Sequence, residues 1–154
     1  MDRKNERAPD MSSPIEVCDI YERGKRFVHL KRKNRSSTLS HLFNQALVSG
    51  ELLVRHPAFR QIAFGRILAE ETASLGAQPS PGGTQPFVAA ELSAASYSAA
   101  GVRVCLGILT NWNNSNDWIE ELPFFSLVTF ARTAEELRAL TYLIEFEPIH
   151  SPDD

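Results

Sequence analysis

Residues 15–43 read IEVCDIYERGKRFVHLKRKNRSSTLSHLF, with Ile15 as the first residue and Phe43 as the last. Residues 15–21 and residues 26–32 are rich in apolar and β-branched side chains, and a turn around Gly24 separates them. This pattern predicts two antiparallel strands joined as a hairpin. A basic cluster and a serine-rich segment follow.

A helix is predicted directly after this hairpin. Ser36 and Ser37 can cap a helix that starts at Thr38. Its apolar residues then recur at helical spacing, and Gly50 is expected to end or interrupt it. The apolar face consists of Leu39, Leu42, Phe43, Ala46 and Leu47.

The rest of the chain alternates between helix and strand patterns. A second helix is predicted from Pro57 to near Gly76, since proline suits the first turn of a helix. Residues 102–110 and 143–149 predict strands, and residues 122–130 are apolar and partly β-like. Thr133 and Glu136 fit a capping box for a last helix. Residues 76–86 predict a loop, and residues 87–101 are left open between strand and helix.

These patterns predict an α/β fold, with α+β as the alternative, in which helices flank a small mixed β-sheet. Residues 15–150 are assigned to a single domain, residues 1–14 to a tail or linker remnant, and residues 151–154 to a short tail.

The aromatic residues are assigned to the core or to half-buried loop anchors. They are Phe124, Phe125, Phe130 and Phe146 in the core, and Trp112 and Trp118 in the loop.

The apolar content and the length of the apolar runs are those of a globular domain without a membrane span. Apolar residues make up 43% of the 154-residue chain, and no apolar run is long enough to cross a bilayer. We therefore expect a cytoplasmic domain with no membrane partner. Cys18 and Cys105 each lie in an apolar segment and are predicted to be buried thiols.

The net charge is −3, but the charges are unevenly distributed. Between positions 23 and 35 there are seven basic residues and no acid, so this segment either recruits phosphate or is a solvated hairpin tip. The seven are Arg23, Lys25, Arg26, Lys31, Arg32, Lys33 and Arg35.

The hairpin also carries a candidate catalytic group. Hydrolysis of a phosphodiester by a hard divalent cation needs carboxylates to hold the metal and a cation to stabilise the developing charge. Asp19 on the first strand would supply a carboxylate. His29 and Lys31 are two residues apart on the second strand and therefore share a face. His29 would bind metal or take a proton.

Register decides which acid joins His29 and Lys31. An odd number of loop residues places Asp19 on their face, whereas an even number places Glu16 and Cys18 there. Glu16 would then supply a carboxylate beside His29. Cys18 beside His29 would instead favour a soft metal.

These residues resemble the PD-(D/E)XK nuclease superfamily. They are more similar to an uncharacterised, sporadically distributed bacterial family, through IEVCDI, FVHLKRK, SSTLSHLFNQALVSGELL, FRQ and LPFFS. The resemblance implies a restriction-endonuclease-like core, Mg²⁺ or Mn²⁺ as the metal, and a role in genome defence or mobile elements. Members are generally longer, so it also implies either a stand-alone short version of the family or a truncated product that lacks an N-terminal region. His29 stands where the superfamily has a second carboxylate, and Leu127 stands where the family has a lysine.

The predicted nucleic-acid contacts continue from the basic cluster into the helix. Ser37, His41 and Gln45 recur at helical spacing opposite the apolar face, and free N–H groups at the helix start can hold a phosphate oxygen. The same side chains could simply face solvent. The full predicted contact set is Arg32, Lys33, Arg35, Ser36, Ser37, His41 and Gln45.

Three functional hypotheses result. The first is a metal-dependent nuclease acting on DNA, with RNA left open as a substrate. The second is a degenerate nuclease fold that binds nucleic acid or a protein partner, including a second copy of itself. The third is an inactive fragment of a longer protein.

Overall fold

The computed structural model describes residues 16–75, 91–113 and 117–151. The first strand β1 spans Ile20–Glu22, and β2 spans Arg26–Arg32. Helix α1 spans Ser36–Arg55 and α2 spans Pro57–Leu75. Strand β3 spans Arg103–Thr110, a short 3-10 helix spans Trp118–Glu121, α3 spans Phe124–Ala139, and β4 spans Leu143–His150.

The four strands form one mixed sheet in the order β1-β2-β3-β4. Strands β1 and β2 are antiparallel, whereas β2, β3 and β4 are parallel. Helices α1 and α2 connect β2 to β3, and α3 connects β3 to β4. The predicted α/β class, with helices flanking a small mixed sheet, is therefore confirmed.

Helices α1 and α3 pack on the same face of the sheet. The ring of Phe43 in α1 lies 5.5 Å from the ring of Phe130 in α3, measured between centroids. Between these helices and the sheet lies the core, to which β2 contributes Phe27 and β3 contributes Val104, Leu106 and Ile108. Both helices follow strands that run in the same direction, so their N-termini meet at the carboxyl edge of the sheet.

The opposite face of the sheet has a different chemistry. Arg26 on β2 lies between acids from both sides, with its guanidinium 2.6 Å from a Glu145 carboxylate oxygen and 2.8 Å from one of Glu147. Arg26 also pairs with Glu22 on β1, and Arg103 on β3 pairs with Glu145 at 3.2 Å. Four strands are thus joined by ion pairs as well as by backbone hydrogen bonds.

Two predicted boundaries are wrong. The predicted strand over residues 15–21 is reduced to Ile20–Glu22 within the described residues, because Asp19 uses its side chain rather than its backbone to bond Leu30. Residues 122–130 are not β-like, since α3 begins at Phe124 and Thr133 lies inside it. Pro123 precedes the helix, and Phe130 packs on Phe43; this packing overrides the local β preference of an aromatic segment.

Gly50 neither ends nor interrupts α1, which continues to Arg55. It allows close packing between α1 and the end of α3. A Cβ atom at Gly50 would lie 2.8 Å from Leu137 Cδ2 and 3.2 Å from Tyr142 Cε2. The Tyr142 hydroxyl donates to the Gly50 carbonyl at 2.9 Å, which fixes the two segments together.

Replacing Gly50 with alanine should destabilise the fold, although alanine is the better helix former. Leu137 and Tyr142 are both buried, so overpacking should cost about 1–3 kcal/mol and outweigh a propensity gain of roughly 1 kcal/mol. Gly65→Ala in α2 is the matched control, since its Cβ would meet nothing within 4 Å. It should stabilise by up to about 1 kcal/mol. Urea unfolding of both variants measures the contrast, and equal shifts would contradict the packing argument.

Candidate nucleic-acid interface

The register of the hairpin is odd. Ile20 pairs with Val28 and Glu22 with Arg26, so the connection contains three residues, 23–25. Gly24 and Lys25 both adopt positive φ, and their backbone N–H groups donate to the Glu91 carboxylate at 2.9 and 3.3 Å. This is the register for which Asp19, and not Cys18, is predicted to join His29.

Asp19 lies just before β1, at the edge of β2. Its N–H donates to the Val28 carbonyl at 2.9 Å, and its Oδ2 accepts the Leu30 N–H at 2.7 Å. The carboxylate therefore satisfies a strand N–H that β1 is too short to reach. Asp19 is exposed to solvent.

His29 lies under the helices, in the middle of β2, and is only 4% exposed. Burial lowers the pKa of His29 to about 4, although the nearby Asp19 carboxylate acts in the opposite direction. The imidazole is neutral at neutral pH because the cost of desolvating its charged form exceeds the attraction of Asp19.

Lys31 follows His29 by two residues and shares its side of the sheet, where it is half-buried. Glu16 is exposed and lies four residues before β1. Burial, followed by the Asp19 carboxylate, raises the pKa of the Cys18 thiol to about 12, so this thiol is protonated. Cys105 is fully buried, as predicted, whereas the same prediction is wrong for Cys18, which is only half-buried; neither cysteine is in a disulfide.

The donor set for a metal is incomplete within the described residues. Residues 16–75, 91–113 and 117–151 contain no group of three or more His, Cys, Asp or Glu side chains placed to hold a metal ion. Asp19 and His29 are two neighbouring donors, but one accepts a backbone N–H and the other is buried. The described residues therefore supply at most part of a metal site.

The predicted nucleic-acid contacts, in contrast, collect at the carboxyl edge of the sheet. β2 ends there at Arg32, and α1 begins four residues later. Arg32 is exposed, and its guanidinium lies 3.4 Å from the hydroxyl of Ser151, which follows β4. The basic end of β2 therefore lies beside the segment that leaves β4.

Lys33 is held in place at this edge. Its ammonium donates to the Glu121 carbonyl at 2.7 Å and lies 5.5 Å from the centroid of the Trp112 ring. The Glu121 carboxylate in turn accepts the Asn113 N–H at 3.1 Å. These contacts connect the basic segment to the short 3-10 helix before α3.

Arg35 is the residue at this edge whose charge is most available. It is exposed, it occupies the N-cap position of α1, and it forms no side-chain hydrogen bond or ion pair with the described part of the chain. The first turn of α1 has no acidic residue and no side-chain cap. A 20-residue helix thus presents its positive end beside an exposed guanidinium.

Ser37 and His41 are exposed, and Gln45 is half-buried. They lie on α1 at intervals of four residues, on the side away from the buried Leu42 and Phe43. The predicted polar stripe therefore runs along the helix from the carboxyl edge. Ser36 belongs to α1, but its side chain lies outside the described part of the chain.

The assignment of all four phenylalanines to the core is wrong for two of them. Phe130 and Phe146 pack against the core, whereas Phe124 is 72% exposed and Phe125 is 76% exposed. The sequence signal for their exposure is that both residues directly follow Pro123. They therefore lie in the first turn of a helix, before the helical positions that are buried. Leu127, in contrast, is half-buried against the core.

The comparisons with known proteins identify a family but not an activity. The model of a family of unknown function (DUF6119) matches residues 1–150. The chain belongs to this family. No curated protein and no solved structure matches the chain. Within the described residues of this DUF6119 member, no helix has both the length and the apolar character that a membrane span requires.

The buried imidazole predicts a pH dependence of stability. In the unfolded chain His29 regains a pKa near 6.5, so the unfolded state binds more protons than the folded state between pH 6.5 and about 4. The free energy of unfolding should therefore fall as the pH is lowered through this window, by up to about 3 kcal/mol. Urea unfolding at several pH values measures the slope.

His29→Gln should flatten this part of the slope, because glutamine does not titrate. His41→Gln is the control, since His41 is exposed and its replacement should leave the slope unchanged. If wild type and His29→Gln lose stability equally on acidification, another group causes the loss.

Proposed function

We propose that this domain binds nucleic acid through the phosphate backbone, at the carboxyl edge of its sheet. The single observation that carries the proposal is Arg35, an exposed guanidinium at the N-terminus of α1 that has no partner among the residues the structure describes. Arg32 and Lys33 precede it in the chain and lie at the same edge. Phosphate is the anion that such a combination of helix N-terminus and basic side chains suits best.

The charge distribution supports this placement. The acids of β4 are paired with Arg26 and Arg103 on the face of the sheet away from the helices. This pairing reduces the repulsion between these carboxylates and a polyanion. The net charge of −3 therefore includes two carboxylates that are already paired with arginines, while Asp117, Glu120 and Glu121 lie in the segment that contacts Lys33. Ser37 and His41 continue the edge along α1 and add hydrogen-bonding groups for the same backbone.

Arg35→Ala should weaken the binding of DNA and lower the salt dependence of that binding. One lost phosphate contact reduces the slope of log K against log salt by about one. Fluorescence anisotropy of a labelled DNA duplex, titrated with the full chain at several salt concentrations, measures both effects. Arg138→Ala is the matched control, because Arg138 is an exposed arginine in the last turn of α3, at the opposite edge.

Equal weakening by Arg35→Ala and Arg138→Ala would mean that binding depends on net charge and not on this edge. Absence of binding by the wild-type chain to both duplex and single-stranded DNA, even at low salt, would refute the proposal outright.

Metal-dependent cleavage of DNA is the second candidate. The observation that favours it is the position of Asp19, whose carboxylate is close enough to His29 to oppose the lowering of its pKa. Lys31 shares the side of the sheet on which His29 lies. This strand pair is also the part of the chain that resembles the PD-(D/E)XK nucleases, so catalysis would rest on Asp19, His29 and Lys31.

This candidate predicts that DNA is cut in the presence of Mg²⁺ or Mn²⁺ and that Asp19→Asn or Lys31→Ala reduces the rate by about a hundredfold or more. Asparagine keeps an oxygen acceptor for the Leu30 N–H and removes only the charge. The rate of strand scission, followed on a gel, is the measurement. Unchanged rates in both variants would remove these residues from catalysis, while binding by the carboxyl edge would be unaffected.

A further inference from the structure

The most unusual surface feature of the domain is a pair of exposed phenylalanines at the start of α3. Phe124 is 72% exposed and Phe125 is 76% exposed, and their ring centroids lie 5.6 Å apart in an edge-to-face arrangement. Val128, one turn later, is also exposed at 51%. Phenylalanine is mostly buried in folded proteins, so two adjacent exposed rings form a patch that indicates binding.

The helix itself directs these rings outward. The buried stripe of α3 contains Ser126, Thr133, Ala134 and Leu137, with Leu127 and Phe130 beside it. At 100° per residue, Phe124, Phe125 and Val128 lie on the opposite side of the helix from this stripe. Rotating α3 to bury the two rings would expose Leu137, which is fully buried.

This aromatic patch adjoins the basic edge. Lys33, which follows β2, donates to the carbonyl of Glu121, and Glu121 lies only three residues before Phe124. The packing of Phe43 on Phe130 holds α1 and α3 side by side, with both N-termini at this edge. Arg35 and the two exposed rings therefore lie at one end of the domain.

We infer that the nucleic acid bound here is single-stranded, with bases stacked on Phe124 and Phe125 and phosphates held by Arg35 and the N-terminus of α1. The inference rests on the proposed function and names its substrate class. A basic groove combined with exposed aromatic rings is the usual way to bind single strands, because every base has a face that can stack. In a duplex these faces are covered by neighbouring base pairs, so the two rings would have no partner.

The neighbouring charges argue for a polyanion rather than an apolar protein surface. Arg35 has no acidic partner among the described residues, and the first turns of α1 and α3 contain no acid. The acids nearest to this end of α3 are Asp117 and Glu120, which are exposed, and Glu121, whose carboxylate accepts the Asn113 N–H. An apolar protein surface would remove Arg35 and the N-terminus of α1 from water and supply no negative charge in return. Each nucleotide, in contrast, brings a phosphate together with its base.

The test compares conservative replacements at the two rings in the full chain. Phe124→Tyr with Phe125→Tyr keeps the aromatic faces, whereas Phe124→Leu with Phe125→Leu keeps the apolar character without them. The probes are a fluorescent oligothymidylate and a DNA hairpin duplex of the same charge. Anisotropy titrations at a fixed salt concentration give the dissociation constants, and sedimentation of the same samples gives the oligomeric state.

We expect the double leucine variant to bind the oligothymidylate roughly five- to 150-fold more weakly per lost stacked base, and the double tyrosine variant to bind it like the wild type. Both should bind the duplex like the wild type. Leu143→Ala is the control for losing exposed apolar surface, since Leu143 is 55% exposed at the opposite edge of the sheet. It should leave both affinities unchanged.

Each contrary outcome has a distinct meaning. If the leucine variant keeps wild-type affinity for the single strand while Arg35→Ala weakens it, the stacking inference is overturned and the proposed function stands. If the leucine variant only changes the oligomeric state, the patch is an interface between copies of the chain, and the inference is again overturned. If no probe binds at all, the proposed function has failed and the inference fails with it.

Discussion

The direction of the strand crossovers is the constraint on which the rest of this structure depends. β2, β3 and β4 are parallel and lie in chain order, so each crossover moves one step in the same direction across the sheet. Such connections are nearly always right-handed, which places the crossover helices on one face. The contact between Phe43 and Phe130 follows from that placement. The same geometry brings the N-termini of α1 and α3, and with them Arg35 and the two exposed rings, to a single edge.

A one-sided helical layer leaves the second face of the sheet to be stabilised by its own side chains. Arg26 supplies much of this stability, since its guanidinium contacts acids on β1 and β4 and the Cys105 sulphur on β3. Gly107 allows apolar packing on the same face. Because it has no Cβ, the side chains of Leu30 and Ile149 can approach it from the neighbouring strands. The two acids of β4, Glu145 and Glu147, are thereby paired with arginines on the face away from the helices.

Asp19 in the hairpin has a structural role and is also a candidate catalytic residue. Asp19 accepts the Leu30 N–H just before β1 begins, so its charge stabilises an otherwise unpaired strand edge. Its proximity to His29 is a consequence of this bond. Burial still keeps the imidazole neutral, and the protein tolerates a titratable group in its core because the group remains uncharged near neutral pH. A catalytic role for the pair would require access that the helices now restrict.

The sequence alone determined the α/β class, the strands β2, β3 and β4, and helix α2, because their apolar periodicities are strong and Pro57 marks a helix start. It also located the basic segment, since charge is visible without coordinates. Only tertiary structure decided the odd register of the hairpin, which depends on two positive φ angles and on Glu91, a residue distant in sequence. Tertiary packing likewise made residues 124–130, which belong to an apolar and partly β-like segment, the start of a helix. The same packing turned Phe124 and Phe125 outward, because the face that a helix buries is set by its neighbours and not by the hydrophobicity of any one residue.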